Sequence, residues 1–436
     1  MTGTIGRRVA SVAAVTVVGL TLAACGSSGP SATNSKAASG AGSVWVLTDA
    51  SLNPVQQTSI DAFNKGATAK FTLSNYGNDP YKQKLQTAIG SPNQPDIFYN
   101  WGGGNLAQYV DAGQVADLTA TLNANPGFRA KFIPSVLDVG KIHGKVYGLP
   151  MQGVQPVMMF ANADVLKKAG IDTMAITWDG LLADVGKLKA AGVTPIALAG
   201  SQSWTELMWM EYLVDRIGGP EKFQAIVAGK AGAWSDPAVV GALTKVQDLV
   251  SAGAFGSNYS AVGYDNQGTQ ALIAGDKAGY ELMGSWEVSS LNGSFPAFAK
   301  SAALEWGKFP TVAGGTGDPA SLVGNPSNYY SVTQKSPNKA AAMKYLVDTL
   351  TSDTYAQGLM GIGQVPAITG LEKKVKTGTF AGFNAFTYAL VGTAPSFTQS
   401  WDQALTAATS EKLLTNLQKI FLKEMTPRQF VAAMGS

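Results

Sequence analysis

Nine tryptophans stand in this 436-residue chain, and four of them, Trp101, Trp204, Trp286 and Trp401, fall at turn or helix-start positions. An indole offers a flat apolar face that stacks at little conformational cost. Polar groups stand close by. Glu206 and Glu287 each neighbour one of these rings, and a carboxylate accepts two hydroxyl hydrogen bonds. Asp79 opens a helix, where it either caps the helix or accepts hydrogen bonds from outside. Gly102 and Gly103 either form a simple turn or let the backbone approach a ligand closely. Gln152 and Gln155 supply donors and acceptors together. Asn325, Asn328 and Tyr329 form a further polar group downstream. The set suits gripping a hydroxylated molecule.

Catalytic chemistry finds less support. His143 is the single histidine and sits in a turn, and Cys25 is the single cysteine, so no zinc site of the usual nitrogen and sulfur type is expected. No G-x-S-x-G elbow accompanies His143. Gly361 and Gly363 are followed by Gln364-Val365-Pro366 and not by a phosphate-loop lysine. No metal and no cofactor is expected. Paired carboxylates for glycoside hydrolysis remain open, with Glu206 and Glu287 as the pair.

The elements that must position these residues begin after a leader. Arg7 and Arg8 precede an apolar run over residues 9–20 and the small residues before Cys25, the layout of a secretory signal over residues 1–24. The run is too short to span a bilayer. Leu22-Ala23-Ala24-Cys25 resembles the lipobox of bacterial lipoproteins, which implies lipidation at Cys25 and a membrane anchor. Residues 26–43 are rich in Gly, Ser, Ala, Asn and Thr, and read with Cys25 as a flexible tether (25–43). The 32 basic and 29 acidic residues include the two arginines of the leader, so the remaining chain carries 30 against 29, close to +1. So little charge argues against a nucleic acid partner and for a neutral ligand.

From Val44 onward short apolar strands alternate with helices, as at 44–47, 54–65, 70–73, 79–89, 96–99 and 105–112, which predicts an α/β domain with a mostly parallel sheet. After about residue 160 helices dominate around a smaller set of strands. The length predicts two domains.

Several stretches, in order, resemble the bacterial extracellular solute-binding proteins for sugars, the receptor subunits of ABC importers. They are Pro95-Asp96-Ile97-Phe98 with Trp101-Gly102-Gly103, Ala112-Gly113 with Asp117-Leu118-Thr119, and Gly144-Lys145-Val146-Tyr147-Gly148-Leu149-Pro150. Asn162 with Lys168-Ala169-Gly170-Ile171, Thr177-Trp178-Asp179, Ala191-Gly192-Val193-Thr194-Pro195-Ile196 and Gly284-Ser285-Trp286 complete the series. The resemblance implies a two-lobed, type II periplasmic-binding-protein-like fold with a hinge and a central ligand cleft. It implies one lobe from 44–153 plus 327–370 and another from 156–322 plus 375–436, with crossings near 153–156, 323–327 and 370–376. It implies that Trp101, Trp204, Trp286 and Trp401 stack on sugar rings, with Asp79, Gly102, Gly103, Gln152, Gln155, Glu206, Glu287 and Tyr329 around them. The family commonly places an aromatic where this chain has Ala161, which points to a wider pocket. The expected protein is a monomeric, non-enzymatic receptor on the outer face of the cell membrane. It captures a neutral di- or short oligosaccharide and passes it to ABC permease subunits. A secreted lipoprotein glycoside hydrolase is the alternative.

Overall fold

The computed structural model describes residues 42–435, so the signal segment, Cys25 and the tether up to residue 41 lie outside the described residues. Gly42 and Ser43, expected in the tether, already belong to the first strand, where they pair with Phe71 and Thr72.

The chain opens with β1 (Gly42–Leu47), α1 (Leu52–Asn64), β2 (Phe71–Tyr76), α2 (Asn78–Ala88), β3 (Ile97–Asn100) and α3 (Gly103–Asp111). The short β4 (Leu149–Pro150) then leads into β5 (Gln155–Asn162). Further on come β6 (Thr194–Ala197), α4 (Ser203–Gly218), α5 (Gly268–Ala274), β7 (Ala278–Gly284) and α6 (Glu287–Ser294). β8 (Leu304–Gly307), β9 (Leu322–Asn325), β10 (Tyr329–Val332), β11 (Phe397–Gln399) and α7 (Trp401–Ala404) follow, with other helices between.

Two large sheets result, each with its own core, beside a two-stranded ribbon of Lys141–Ile142 and Lys145–Val146. In the first the order is β2-β1-β3-β10-β4; β1, β2 and β3 run parallel, and β10 lies antiparallel to both its neighbours. In the second the order is β11-β9-β5-β7-β6, with β8 also paired to β5. β5 is buried along all eight residues, so its sequence Gln-Pro-Val-Met-Met-Phe-Ala-Asn shows no alternation. A strand covered on both faces needs none. The first core gathers Ile97, Phe98, Tyr330 and Tyr345, and the second gathers Phe160, Trp209, Tyr212 and Leu413. Tyr212 stacks flat on Phe309, with ring centroids 4.6 Å apart.

Three segments join the lobes. The chain passes from β4 to β5 through residues 151–154 and returns from β9 to β10 through residues 326–328. Leu371 and Val375 still pack in the first core and Phe380 in the second, so the third passage lies between Val375 and Phe380. The first two passages are tied together. Met151 N–H donates to Asn328 O at 2.9 Å, and Ser327 Oγ donates to Gln152 O at 3.0 Å.

Candidate functional site

A cavity of about 130 Å³ lies where the two lobes face each other. Its first wall comes from the end of β1, the loop after it and the start of α1 (Leu47, Thr48, Asp49, Leu52, Gln56), with Tyr99 on β3, Trp101 just after it, and Asn78 and Lys82 on α2. Gln152 and Asn328 of the two adjoining passages, with Gln155 at the start of β5 and Asn325 at the end of β9, form the floor. Trp204 and Met208 on α4, Tyr264, Asp265, Trp286, Ser290, Ser400, Asp402 and Gln403 close the far side.

Local sequence explains several of these placements. Asp49 accepts the N–H groups of Ser51 and Leu52 at 2.9 and 2.8 Å, which caps the start of α1 and turns the loop toward the cavity. Trp101 is braced edge-on by Tyr99 at 5.0 Å and by Tyr81 at 6.1 Å. Lys82 Nζ stands 5.0 Å from the Trp101 ring centroid, a cation–π distance. Trp204 and Trp286 lie 6.3 Å apart, and Tyr264 meets Trp204 edge-on at 5.2 Å. On the floor, Asn328 Nδ2 donates to Gln152 Oε1 at 2.9 Å and to Gln155 Oε1 at 2.6 Å. One amide therefore orients two others. Both glutamines line the cavity, and their amide nitrogens add donor capacity there.

The walls are acidic. Asp49, Asp265 and Asp402 all line the cavity, with Lys82 the cation beside them. Burial raises the pKa of each of the three carboxyls. Lys82 opposes that shift at Asp402, from which it stands 4.0 Å away across the lobe boundary.

The lobes meet at the cavity rim. Gln399 Nε2 of β11 donates to Trp101 O at 2.7 Å, and Asn292 Nδ2 donates to Ser51 Oγ at 3.2 Å. A Cβ on Gly103 would collide with Gln399 Oε1, and one on Gly104 with Leu405 O.

Of the residues expected at the site, Trp101, Trp204, Trp286, Gln152 and Gln155 line this one cavity, together with Asn325 and Asn328. The others are placed elsewhere. Trp401 is buried in the second core, stacked on Phe223 at 4.4 Å, because its α7 turn packs inward and presents Ser400, Asp402 and Gln403 instead. Tyr329 is fully buried and donates to Val136 O at 2.7 Å, since strand alternation turns it away from Asn328. Asp79 neither caps α2, whose N-cap is Gly77, nor lines the cavity; its Oδ1 accepts from Asn78 Nδ2 at 3.2 Å. Gly102 and Gly103 do not line the cavity either. Their positive φ values of 70° and 53° shape the turn into α3, and Gly103 leaves room for Gln399 of the opposite lobe.

Glu206 and Glu287 are fully buried, and neither residue lines the cavity. Burial pushes Glu206 up to about 8. Its helix phase on α4 sends it into the interior while Trp204 faces out. Glu211, deeper on the same helix, accepts Trp401 N–H at 2.6 Å and so holds the turn that carries Ser400 and Asp402. Lys82, Tyr264, Asp265 and Asp402 were not among the expected residues. No local motif marks them, and only the approach of the two lobes makes them neighbours.

Among the described residues no group of three or more His, Cys, Asp or Glu is placed to hold a metal ion, and no helix is long and apolar enough to cross a membrane.

Comparison with known proteins agrees with this geometry. Residues 47–357 match the family of bacterial extracellular solute-binding proteins. An uncharacterised ABC transporter extracellular-binding protein of Pyrococcus horikoshii is 27% identical over 244 residues, 56% of this chain and 53% of that protein. The chain thus spans about half the length of that relative. A probable sugar-binding periplasmic protein of Mesorhizobium japonicum is 27% identical over 298 residues, 67% of each chain. Among solved structures, one from work on xylan utilization by the thermophilic bacterium Caldanaerobius polysaccharolyticus superposes with a TM-score of 0.81 at 26% identity, over 90% of this chain and 98% of that one. A chitin oligosaccharide binding protein superposes with a TM-score of 0.79 at 24% identity, over 91% and 97%, which speaks for the fold. The α/β architecture of two lobes around a cleft, and the match over most of the described chain, make this protein a member of the bacterial extracellular solute-binding protein family.

Proposed function

We propose that this chain is the sugar receptor of an ABC importer, held at the outer face of the cell membrane through a lipid on Cys25, with residues 1–24 removed as a signal segment. It binds a neutral di- or short oligosaccharide between the lobes and delivers it, as a monomer, to the permease subunits. The observation that carries this reading is the convergence of Trp101, Trp204 and Trp286 from two lobes on one cavity floored by Gln152, Gln155, Asn325 and Asn328. Sugar rings have C–H faces that stack on indoles and an equator of hydroxyls that pairs with amides and carboxylates. Asp49, Asp265 and Asp402 are further acceptors for hydroxyls. The relative named as a sugar-binding periplasmic protein and the structure from work on xylan utilization support the carbohydrate class.

The hydrolase alternative loses the carboxyl pair nominated for it, since Glu206 and Glu287 are fully buried and neither lines the cavity. Titration calorimetry of the purified protein against xylo-, cello-, malto- and chito-oligosaccharides tests the proposal. Binding at micromolar Kd or tighter, about −8 kcal/mol, without product formation supports it. Heat from amino acids or peptides alone, or sugar turnover, refutes it.

A further inference from the structure

Two fully buried carboxyls stand behind the Trp204 and Trp286 wall, and the proposed ligand contacts leave both unused. Glu281 comes from β7 and Glu287 from the first turn of α6. Glu287 Oε2 accepts the Tyr264 hydroxyl at 2.7 Å and Gln270 Nε2 of α5 at 3.1 Å. The same Tyr264 hydroxyl lies 3.1 Å from Ser290 Oγ, and the Tyr264 ring braces Trp204 edge-on. Tyr264 and Asp265 both donate their backbone N–H groups to Gln202 Oε1, at 2.6 and 3.1 Å. Asp265 in turn faces the other lobe. Its carboxylate meets the backbone of Asn78, and a Cβ on Gly77 would lie 3.3 Å from its Oδ2. A single line of contacts therefore runs from Glu287 to the stacking wall and on to the lobe boundary.

We propose that Glu287 is the positioning residue of this wall: its carboxyl group fixes Tyr264, and Tyr264 fixes the Trp204 indole and the 264–265 loop that meets the first lobe. The assignment rests on reading the cleft as the sugar site. The groups that act on the pair are Asp49 from the loop before α1, Tyr264 from the loop before α5, Thr269 and Gln270 on α5, and the two carboxyls themselves. Burial raises both carboxyls. Glu281 is raised further by the Glu287 charge, whereas the hydrogen bonds that Tyr264 and Gln270 donate to Glu287 lower the latter. Glu287, held by two donors, is the carboxyl of the pair that ionises more readily, and burial with the Glu287 charge keeps Glu281 protonated to higher pH. A hydrogen bond to an ionised acceptor is about twice as strong as one to a neutral acceptor. As pH rises through the ionisation of Glu287, the grip on Tyr264 tightens and the wall becomes better ordered.

The test follows tryptophan emission of the ligand-free protein from about pH 5 to pH 8.5, alongside xylotriose binding by calorimetry over the same range. The wild type should show an emission step that is absent in Trp204→Phe. That step should vanish in Glu287→Gln and in Tyr264→Phe, which keeps the ring and so guards against misfolding. Xylotriose affinity should rise roughly five-fold across the step in the wild type and stay flat in both variants. Glu287→Asp should restore part of the pH dependence. An emission step of unchanged size and midpoint in both Glu287→Gln and Tyr264→Phe overturns the inference, even if sugars bind. Absence of binding by xylotriose and every other sugar defeats the receptor reading instead, and the emission titration still decides the role of Glu287.

Discussion

Glu206 gives the most demanding check on the energetics. Its carboxyl is fully buried, neither oxygen has a hydrogen-bond partner among the described residues, and burial pushes its pKa from 4.5 up to about 8. The unfolded chain therefore ionises Glu206 near pH 4.5 while the folded chain keeps its proton until about pH 8. Between those values the unfolded state binds fewer protons, so stability is full below the lower value and falls as pH rises. Each pH unit in the window removes about 1.4 kcal/mol, or about 3 kcal/mol by pH 7. Glu206→Gln abolishes this term while keeping shape and polarity. Other buried acids contribute to the wild-type slope, so the informative quantity is the difference between variant and wild type. At pH 4.5 the two should differ only by the constant effect of the amide. By pH 7 the variant should have gained on the order of 4 °C in Tm relative to that baseline. Differential scanning calorimetry at half-unit pH steps reads this directly. Curves that stay parallel from pH 4.5 to 8 would refute a neutral buried Glu206.

Trp286→Ala removes one stacking face and should weaken sugar binding by about ten-fold or more, measured by calorimetry, with little change in Tm. Asn328→Ala leaves the Gln152 and Gln155 carbonyl oxygens without the amide that joins them, and should cost both about 1–3 kcal/mol of stability and most of the sugar affinity. Gly104→Ala places a Cβ against Leu405 O of the opposite lobe. It should lower affinity and shift solution scattering of the sugar-bound protein toward a larger radius, while the sugar-free Tm stays near wild type. Cys25→Ser should move the protein from the membrane fraction to the medium, read by cell fractionation and immunoblot.

The alternating strands from Val44 to Tyr99 were legible because parallel strands and amphipathic helices carry different periods. Strands β9 and β11 were harder to see. Leu322–Asn325 and Phe397–Gln399 are only four and three residues long, too short for a period to show. Two-residue strands, Lys145–Val146 and Leu149–Pro150, are shorter still; Gly148 packs against Tyr329 and the chain turns between them. The same unevenness holds for the cavity. Trp101, Trp204 and Trp286 were recognisable from residue type and position. Trp401 was equally so by type, yet it packs on Phe223, while its neighbour Asp402 reaches the cavity.

Chemical inventory, hydrophobic period and the order of short motifs were enough to read two α/β lobes and the family. These depend on local composition and on spacing along the chain. Which acids face the cavity, which indole is core, and how Lys82 comes to stand beside Asp402 were decided only when the lobes packed. Helix phase and the approach of distant segments set those choices, and neither is written in any short stretch of residues.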